Sequence, residues 1–418
     1  MLAEQQLKLP DEGALAASTI PSGDALPRLL YLSDVPVESY MHGSALVYRL
    51  FESYPAEKLL IVECLSKSHP DRRIPNVQYR TINSSLSRLL RNRFSHYLWP
   101  LSLARVYLSS RSISRIARSF QPQAVITVVV GHAWEVAASY ATRADLPLHL
   151  IVHDDWPNNP NRPSLQRRWA DSALRRWYPM AASRLCVSPY MAQEFSRRYG
   201  ARGDVLYPSR DSNTLEFEVP PPGLSGSCKP FTVAFCGSIY LDYARALQRM
   251  AIALQEIGGR LLVFGPKPFA GVDAFLQEPN LELQGTLSSL EMIRRCREHA
   301  HAIFVPMSYS ESDRHNMEIS FPSKLADCTA TGLPLIIDGP DYCSAVRWAR
   351  ENPGVSAITT DESVDALRTA LQQLQDPAIR LQLAREAIRR GKEYFAHNRA
   401  LATLLRHVQA RRSRSVER

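Results

Sequence analysis

The stretch FPSKLADCTATGLPLI holds the residues whose types and spacing are most informative about chemistry. Pro322 fits the first position of a helix because its missing N–H costs nothing there. Ser323 and Lys324 then lie in the first turn, where N–H groups lack internal partners. Free amides, a hydroxyl and an ammonium group together can hold a diphosphate. Asp327 shares a helix face with Lys324 and could accept hydrogen bonds from ribose hydroxyls. The alternative is a short connecting helix on which Lys324 and Asp327 pair in solvent.

A second polar group, His153, Asp154 and Asp155, comes directly after the apolar run LHLIV. Binding residues concentrate on loops that a rigid sheet holds in place. His153 could bond a sugar hydroxyl or a phosphate, and Asp154 or Asp155 could orient it or line the cleft. The alternative for His153 is a histidine that satisfies a purely structural hydrogen bond.

Two glycine–serine pairs stand where a strand gives way to a helix. Gly237 and Ser238 follow the strand-like run VAFC, in a turn that resembles those facing phosphate groups. Gly43 and Ser44 open an amphipathic helix, where the missing side chain would let the backbone approach a ligand closely. A glycine at the start of such a helix can also serve packing alone.

The elements that must position these residues are short apolar strands alternating with helical patterns. Continuous apolar runs of four to eight residues suit parallel strands that are buried on both faces. The pattern breaks at VPPPGLSGS and then begins again, which indicates two doubly wound α/β domains with a cleft between them. The predicted divisions are a flexible tail over 1–27, a first domain over 28–212, a linker over 213–230, a second domain over 231–392 and a basic tail over 411–418.

The charge distribution adds a basic segment in the first domain. The chain carries a formal charge of +9, and residues 85–120 contain seven arginines, no acidic residue, and leucines and aromatics at helical intervals. Such a segment can be a solvated helix face with its leucines turned inward, or it can rest on anionic lipid. Binding to nucleic acid is the third reading, and we expect none because no nucleic-acid motif accompanies the arginines.

Several classes of protein are excluded by what the sequence lacks. It has no apolar run long enough to span a membrane and no signal-peptide pattern at its start. The seven scattered cysteines contain no CxxC pair, which predicts buried reduced thiols in a cytoplasmic protein. No P-loop, GxSxG, HExxH or DxD motif occurs. The protein itself must therefore neutralise a bound diphosphate, without a metal, and Lys324 is the obvious candidate.

Together these segments resemble the family-four glycosyltransferases, which have the GT-B architecture. The resemblance covers about residues 29–408 and depends on YLSDVP…GSALVYRL, LIVHDD, VAFCGS, YFAHNRALATLL and, most specifically, FPSKLADCTATGLPLI. It implies two Rossmann-like domains, the second holding a nucleotide-sugar and the first an acceptor. It also implies that a last helix, at about 393–410, packs back on the first domain.

The resemblance implies roles for the same residues. Ser323 and Lys324 would hold the donor diphosphate, Asp327 the ribose, and His153 would lie near the reacting carbon of the transferred sugar. From their own positions in the sequence, Gly237 and Ser238 are expected at the diphosphate, and Gly43, Ser44, Asp154 and Asp155 on the acceptor side of the cleft.

Members of this family commonly have two glutamates separated by seven residues. Here Asp327 stands at the second position and Ile319 at the first, so the neighbouring Glu318 is taken as the catalytic carboxylate.

We therefore expect a metal-independent, retaining hexosyltransferase that acts in glycan, polysaccharide or glycolipid synthesis. No cofactor is expected beyond the nucleoside diphosphate sugar, which is a co-substrate. The expected location is cytoplasmic, peripheral to the inner membrane face through residues 85–120. The alternatives are a non-catalytic nucleotide-sugar-binding homologue in a polysaccharide assembly, or an epimerase or phosphorylase on the same architecture.

Overall fold

A computed structural model describes residues 25–410 except positions 41, 65–66, 83–98, 109, 160–161, 227–229 and 269–270. The predicted basic tail, nearly all of the predicted N-terminal tail and part of the basic segment 85–120 lie outside these described residues. Among the described helices, none is long and apolar enough to cross a bilayer.

The first domain is built on a seven-stranded sheet whose paired strands are all parallel. Its strands are β1 (Leu29–Ser33), β2 (Leu59–Cys64), β3 (Gln78–Ile82), β4 (Ala124–Val128), β5 (Leu148–Val152), β6 (Ser183–Cys186) and β7 (Asp204–Val205). The spatial order is β3-β2-β1-β4-β5-β6-β7, so the winding direction reverses between β1 and β4.

The helices that connect these strands cover both faces of the sheet. They are α1 (His42–Phe51), α2 (Trp99–Leu108), α3 (Ser110–Phe120), α4 (Ala133–Arg143), α5 (Ser164–Met180) and α6 (Pro189–Tyr199). α4 is buried along most of its length, and α2, α3 and α5 all pack against it. It is therefore an inner helix that is itself covered by others.

The second domain repeats this plan on a six-stranded parallel sheet. Its strands are β8 (Thr232–Cys236), β9 (Arg260–Phe264), β10 (Leu281–Gly285), β11 (Ala302–Pro306), β12 (Leu335–Asp338) and β13 (Ser356–Thr359). The order β10-β9-β8-β11-β12-β13 places the reversal between β8 and β11. The predicted fold class, two Rossmann-like parallel sheets, is confirmed.

The remaining helices follow in the second half of the chain. They are α7 (Leu241–Gln255), α8 (Ser289–His299), α9 (Arg314–Ile319), α10 (Lys324–Ala330), α11 (Ser344–Glu351), α12 (Val364–Gln373), α13 (Pro377–Phe395) and α14 (His397–Gln409). α14 packs on α1, and its Leu401, Leu404 and Leu405 share an apolar cluster with Tyr31 and Phe51 of the first domain. The exact domain boundaries stay a prediction.

The central strands are mostly apolar, and this is why they form the interior of each sheet. Every residue of β1, β4 and β5 in the first sheet, and of β8 and β11 in the second, is buried. Strands covered on both faces need continuous apolar sequence rather than alternation. The edge strands β3 and β10 are polar and largely exposed. The six described cysteines are buried and unpaired by disulfides, as predicted.

The two domains pack against each other through an aromatic cluster and buried polar contacts. The ring of Tyr207, at the end of the first domain, meets Phe321 edge to face with centroids 5.0 Å apart. Phe321 also packs on Trp348 and Phe395 of the second domain. Arg210 is fully buried and donates to the Ala326 carbonyl and the Thr329 hydroxyl of α10. The segment after β7 is therefore fixed to the second domain.

Candidate functional site

The carboxyl ends of both sheets meet across the interdomain cleft. Asp155, in the loop after β5, accepts a hydrogen bond from His315 at the start of α9, with Oδ2 and Nε2 2.6 Å apart. Ligands of doubly wound sheets bind at these strand ends, where the winding direction reverses. In the second sheet the winding direction reverses between β8 and β11. Gly237, just after β8, and Pro306, the last residue of β11, therefore mark the expected ligand position.

Lys324 occupies this reversal point. Its ammonium nitrogen donates to the Pro306 carbonyl at 3.1 Å and lies 4.2 Å from the ring centre of Tyr243 and 5.0 Å from that of Phe235. Within the described part of the chain no carboxylate pairs with it. Burial lowers the pKa of Lys324 to about 8. The lysine is therefore held by aromatic faces and a carbonyl, and its charge is not neutralised.

The glycine turn after β8 lies beside this lysine. A side chain at Gly237 would start 3.9 Å from the Lys324 Cδ atom, so the backbone turn and the lysine stem are neighbours. Gly265, after β9, makes this turn possible, because a Cβ there would lie only 2.1 Å from the Gly237 carbonyl oxygen. Gly237, Ser238 and Lys324, which are far apart in the chain, are thus brought together as the proposed phosphate site requires.

The helix that carries Lys324 begins two residues later than the sequence suggests. α10 starts at Lys324, with Ser323 at the N-cap and Pro322 before it. Amides of Leu325 and Ala326 bond back to the carbonyls of Pro322 and Ser323, which tightens the first turn. The Ser323 hydroxyl does not cap the helix. Ser323 and Lys324 still lie together at the amino end of the helix, as predicted.

Asp327 has a partner that the sequence did not suggest. Its Oδ2 accepts from Arg49 of α1 at 2.9 Å, and Arg49 also bonds Asp211, the Ser209 carbonyl and the Ser289 hydroxyl. The alternative of a Lys324–Asp327 pair in solvent is therefore wrong. The ion pair joins the two domains, and the buried Oδ1 of Asp327 has no hydrogen-bond partner in the described residues. Its ribose role stays a prediction, and a hydroxyl would have to reach Oδ1 or displace Arg49.

His153 lies at the carboxyl end of β5, close to the start of α1. A Cβ at Gly43 would stand 3.9 Å from its Nδ1, so Gly43, the neighbouring Ser44 and His153 form one corner of the cleft. Burial lowers the pKa of His153 to about 4, which keeps the imidazole neutral near pH 7. Among the described residues, none forms a hydrogen bond with the ring nitrogens of His153. A neutral imidazole here can donate one hydrogen bond and accept another, for example with a sugar hydroxyl.

The two aspartates after His153 have different surroundings. The side chain of Asp154 is exposed. Desolvation by the surrounding protein and the charge of the neighbouring Asp155 carboxylate raise its pKa. Asp155 is buried, and although burial opposes the shift, hydrogen bonds from His315 and Arg198 lower its pKa. Asp155 therefore serves the interdomain contact, whereas Asp154 is exposed and its place in the acceptor side of the cleft stays a prediction.

Glu318 lies apart from these residues. It pairs with Arg314 at 3.1 Å and lines an interdomain groove of about 420 Å³ between α6 and α9. Neither His153 nor Lys324 lines that groove. Ile319 beside it is buried, and its carbonyl accepts from the Ser188 hydroxyl. The structure thus does not bring Glu318 together with His153 in one cavity, and its catalytic role stays a prediction.

Sequence reasoning missed Asp34, which directly follows β1 at the reversal point of the first sheet. Its Oδ2 accepts from the amides of His132 and Ala133 at the start of α4, at 2.7 and 2.9 Å. A Cβ at Gly131 would lie 2.1 Å from that oxygen, so only glycine fits. Burial raises the pKa of Asp34 to about 6. The rule that singled out His153, a polar residue at a strand's carboxyl end, would have found it.

Known proteins share this chain's fold. Residues 62–212 match the model of glycosyltransferase family 4. No curated protein matches the sequence significantly. Anabaena HepE in complex with UDP and glucose is 13% identical, with 92% of this chain and all of that chain covered at a TM-score of 0.65.

Two further solved structures have lower identity and similar coverage. An E. coli trehalose-6-phosphate structure bound with UDP-2-fluoro glucose is 9% identical, with 92% of this chain and 99% of that chain covered at a TM-score of 0.63. A TarM mutant of S. aureus in complex with fondaparinux, α-GlcNAc-glycerol and UDP is 7% identical. The match covers 92% of this chain and 99% of that chain at a TM-score of 0.62. The resemblance to family four is confirmed over residues 62–212, and the GT-B fold over nearly the whole chain.

Proposed function

We propose that this protein is a glycosyltransferase that moves a hexose from a nucleoside diphosphate sugar to an acceptor hydroxyl. The observation that carries the proposal is Lys324, an unneutralised cation that lies beside the Gly237 turn at the reversal point of the second sheet. Burying an unpaired ammonium opposes folding unless an anion completes the site. A diphosphate has the charge and size to do so.

In the reaction that we propose, the acceptor oxygen bonds the anomeric carbon as the sugar–phosphate bond breaks, and the acceptor's proton passes to the leaving phosphate oxygen. Negative charge develops on the leaving diphosphate in the transition state. Lys324 stabilises this charge, and it needs little reorganisation because the fold already holds it. The neutral imidazole of His153 bonds a hydroxyl of the transferred sugar. The packed interdomain contacts help to exclude water, which would otherwise compete with the acceptor.

The finer features of the proposal come from the family resemblance and the site together. We propose retention of the anomeric configuration, and uridine diphosphate as the nucleotide, because the similar solved structures hold UDP. We propose that no metal is needed, since Lys324 supplies the charge that a cation would. The product would be a glycan, polysaccharide or glycolipid, and the enzyme cytoplasmic, peripheral to the inner membrane face.

One observation favours a second candidate, a non-catalytic protein that binds nucleotide-sugars. Ile319 stands where the family commonly has its first glutamate, and Glu318 is paired with Arg314 on a separate groove. Incubation with UDP-sugars and an acceptor panel separates the two candidates. Release of UDP supports transfer, whereas stabilisation by UDP-sugars without any turnover supports binding alone.

A thermal-shift screen with UDP, GDP, ADP and CDP tests the nucleotide directly. We expect UDP at about 100 times its dissociation constant to add roughly 2.7 kcal/mol to the free energy of unfolding. The Lys324→Met variant should lose most of this stabilisation. If no nucleotide stabilised the unmodified protein, the proposed donor site would be wrong.

The affinity for UDP should depend on pH through Lys324. Its pKa of about 8 means that the free protein loses this proton as the pH rises above 8, while the diphosphate binds the protonated form. The dissociation constant should therefore rise about tenfold between pH 7 and pH 9. Calorimetric titrations across this range measure it. The Lys324→Arg variant stays charged over this range, so any pH dependence that it shows comes from titration of UDP itself. If the dissociation constant changed with pH equally in both proteins, Lys324 would not be the group that titrates.

A further inference from the structure

An exposed apolar surface lies on the outer side of the first domain, on helices α2 and α5. Leu108 is 80% exposed and Leu101 51%, both on α2, while Leu165 is 66% exposed on α5. Tyr107 of α2 and Trp169 of α5 are also exposed, at 39% and 45%. We call these five residues the α2–α5 surface.

The two helices are joined at this surface by a shared carboxylate. Tyr107 and Trp169 both donate to Oε2 of Glu135, at 3.2 and 2.9 Å. Because the polar atom of each ring is bonded inward, the ring area that faces solvent is apolar. A contiguous apolar surface on a globular protein marks an interaction site more often than scattered single residues do.

Exposed arginines lie on α3, which packs against α2, and on α5 itself. On α3, the exposed Arg111, Arg115 and Arg118 follow one another at helical spacing, while Ile113, Ala117 and Phe120 face the core. Exposed Arg168 and Arg176 of α5 continue the positive charge. The apolar side of α3 therefore packs on the domain, whereas Leu101 and Leu108 of the same basic segment are exposed rather than turned inward. The apolar contact with a partner would come from α2 and α5.

The surface is connected to the cleft by a short chain of hydrogen bonds. Glu135, which holds Tyr107 and Trp169, also bonds His132 Nδ1 at 3.3 Å. The backbone amide of His132 in turn donates to Asp34 at the reversal point of the first sheet. Since α4 is buried along most of its length, the surface and Asp34 belong to one packed body.

We propose that the α2–α5 surface docks on an anionic lipid bilayer, with Leu101, Leu108 and Leu165 inserted at the interface and the arginines on the headgroups. Tyr and Trp with apolar neighbours and a basic rim suit the boundary between headgroups and acyl chains. The docked domain would present its cleft to an acceptor carried by a lipid. The lipid-borne acceptor rests on the proposed transfer function, whereas the docking assigns a surface to the proposed peripheral location and can be tested without transfer.

Co-sedimentation with phosphatidylcholine vesicles, with and without 30% phosphatidylglycerol, tests the docking. We expect binding to the anionic vesicles that weakens as salt is added. Arg111→Gln, Arg115→Gln and Arg118→Gln together should weaken it about a hundredfold, from about 1 kcal/mol per arginine near the surface. Leu108→Ser with Leu165→Ser should weaken it by at least about tenfold.

Matched controls use residues outside the surface. Arg294→Gln, Arg295→Gln and Arg385→Gln remove the same charge from the second domain, and Val219→Ser with Ile257→Ser removes exposed apolar groups elsewhere. These proteins should bind vesicles as the unmodified chain does.

Equal recovery on both vesicle types, or equal binding by the Leu108/Leu165 variant and its control, would overturn the proposal. The affinity for UDP, measured without vesicles, should be the same in every variant as in the unmodified protein. If the unmodified protein did not bind UDP, that result would count against the transfer function and not against the docking.

Discussion

Replacing Lys324 by methionine should lower kcat/KM for sugar transfer by about a hundredfold to a thousandfold, the usual loss for one transition-state donor. The same change should leave the free energy of unfolding unchanged or higher. Methionine keeps an apolar stem against the rings of Tyr243 and Phe235. It also removes an ammonium group whose desolvation opposes folding, as the lowered pKa of Lys324 indicates. A residue needed for folding would show the opposite balance, with stability and activity lost together.

Steady-state kinetics with a UDP-sugar and urea denaturation of the same samples measure the two effects. Lys392→Met is the matched control, since Lys392 lies on α13 and pairs with Glu218 away from the cleft. We expect full activity from it. If Lys324→Met were destabilised as strongly as it was inactivated, the phosphate role would lose its support.

Replacing Arg49 by alanine should have the largest effect on stability, about 3 to 5 kcal/mol. Arg49 is buried, and its guanidinium joins Asp211 at 2.7 Å and Asp327 at 2.9 Å. Its removal would leave both carboxylates without their cation at the boundary between the domains. The cost arises from these unpaired charges and from lost contact between α1 and α10.

Urea denaturation of Arg49→Ala, Asp327→Asn and Asp211→Asn separates the parts of this junction. Asp211→Asn leaves the interdomain pair with Asp327 intact, so we expect a smaller loss than for Arg49→Ala. Additivity of the Arg49 and Asp327 changes would show that the two residues do not interact in solution. A strong coupling between them would support the contact.

Local sequence determined the secondary structure and most of the candidate site. Short, continuous and mostly apolar runs such as those of β8 and β11, bounded by turn residues, favour strands covered on both faces, and parallel strands of this kind need crossover connections, usually helices. Once the strands are known, Gly237, His153 and Lys324 are found because a parallel sheet collects its carboxyl ends at one edge. Asp34, which directly follows β1, obeys the same rule.

Only the tertiary structure decided which side chains meet across the two domains. Arg49 is one arginine within an amphipathic helix, and nothing near it in the chain indicates that it pairs with Asp327, 278 residues away. In the same way Asp155 was predicted for the cleft, yet it bonds His315 of the other domain, and Glu318 faces a separate groove. Local spacing determines the face of a helix or the end of a strand, because both depend on neighbouring residues. Partners across an interface depend on how two separately folded sheets pack, and no short-range pattern encodes that packing.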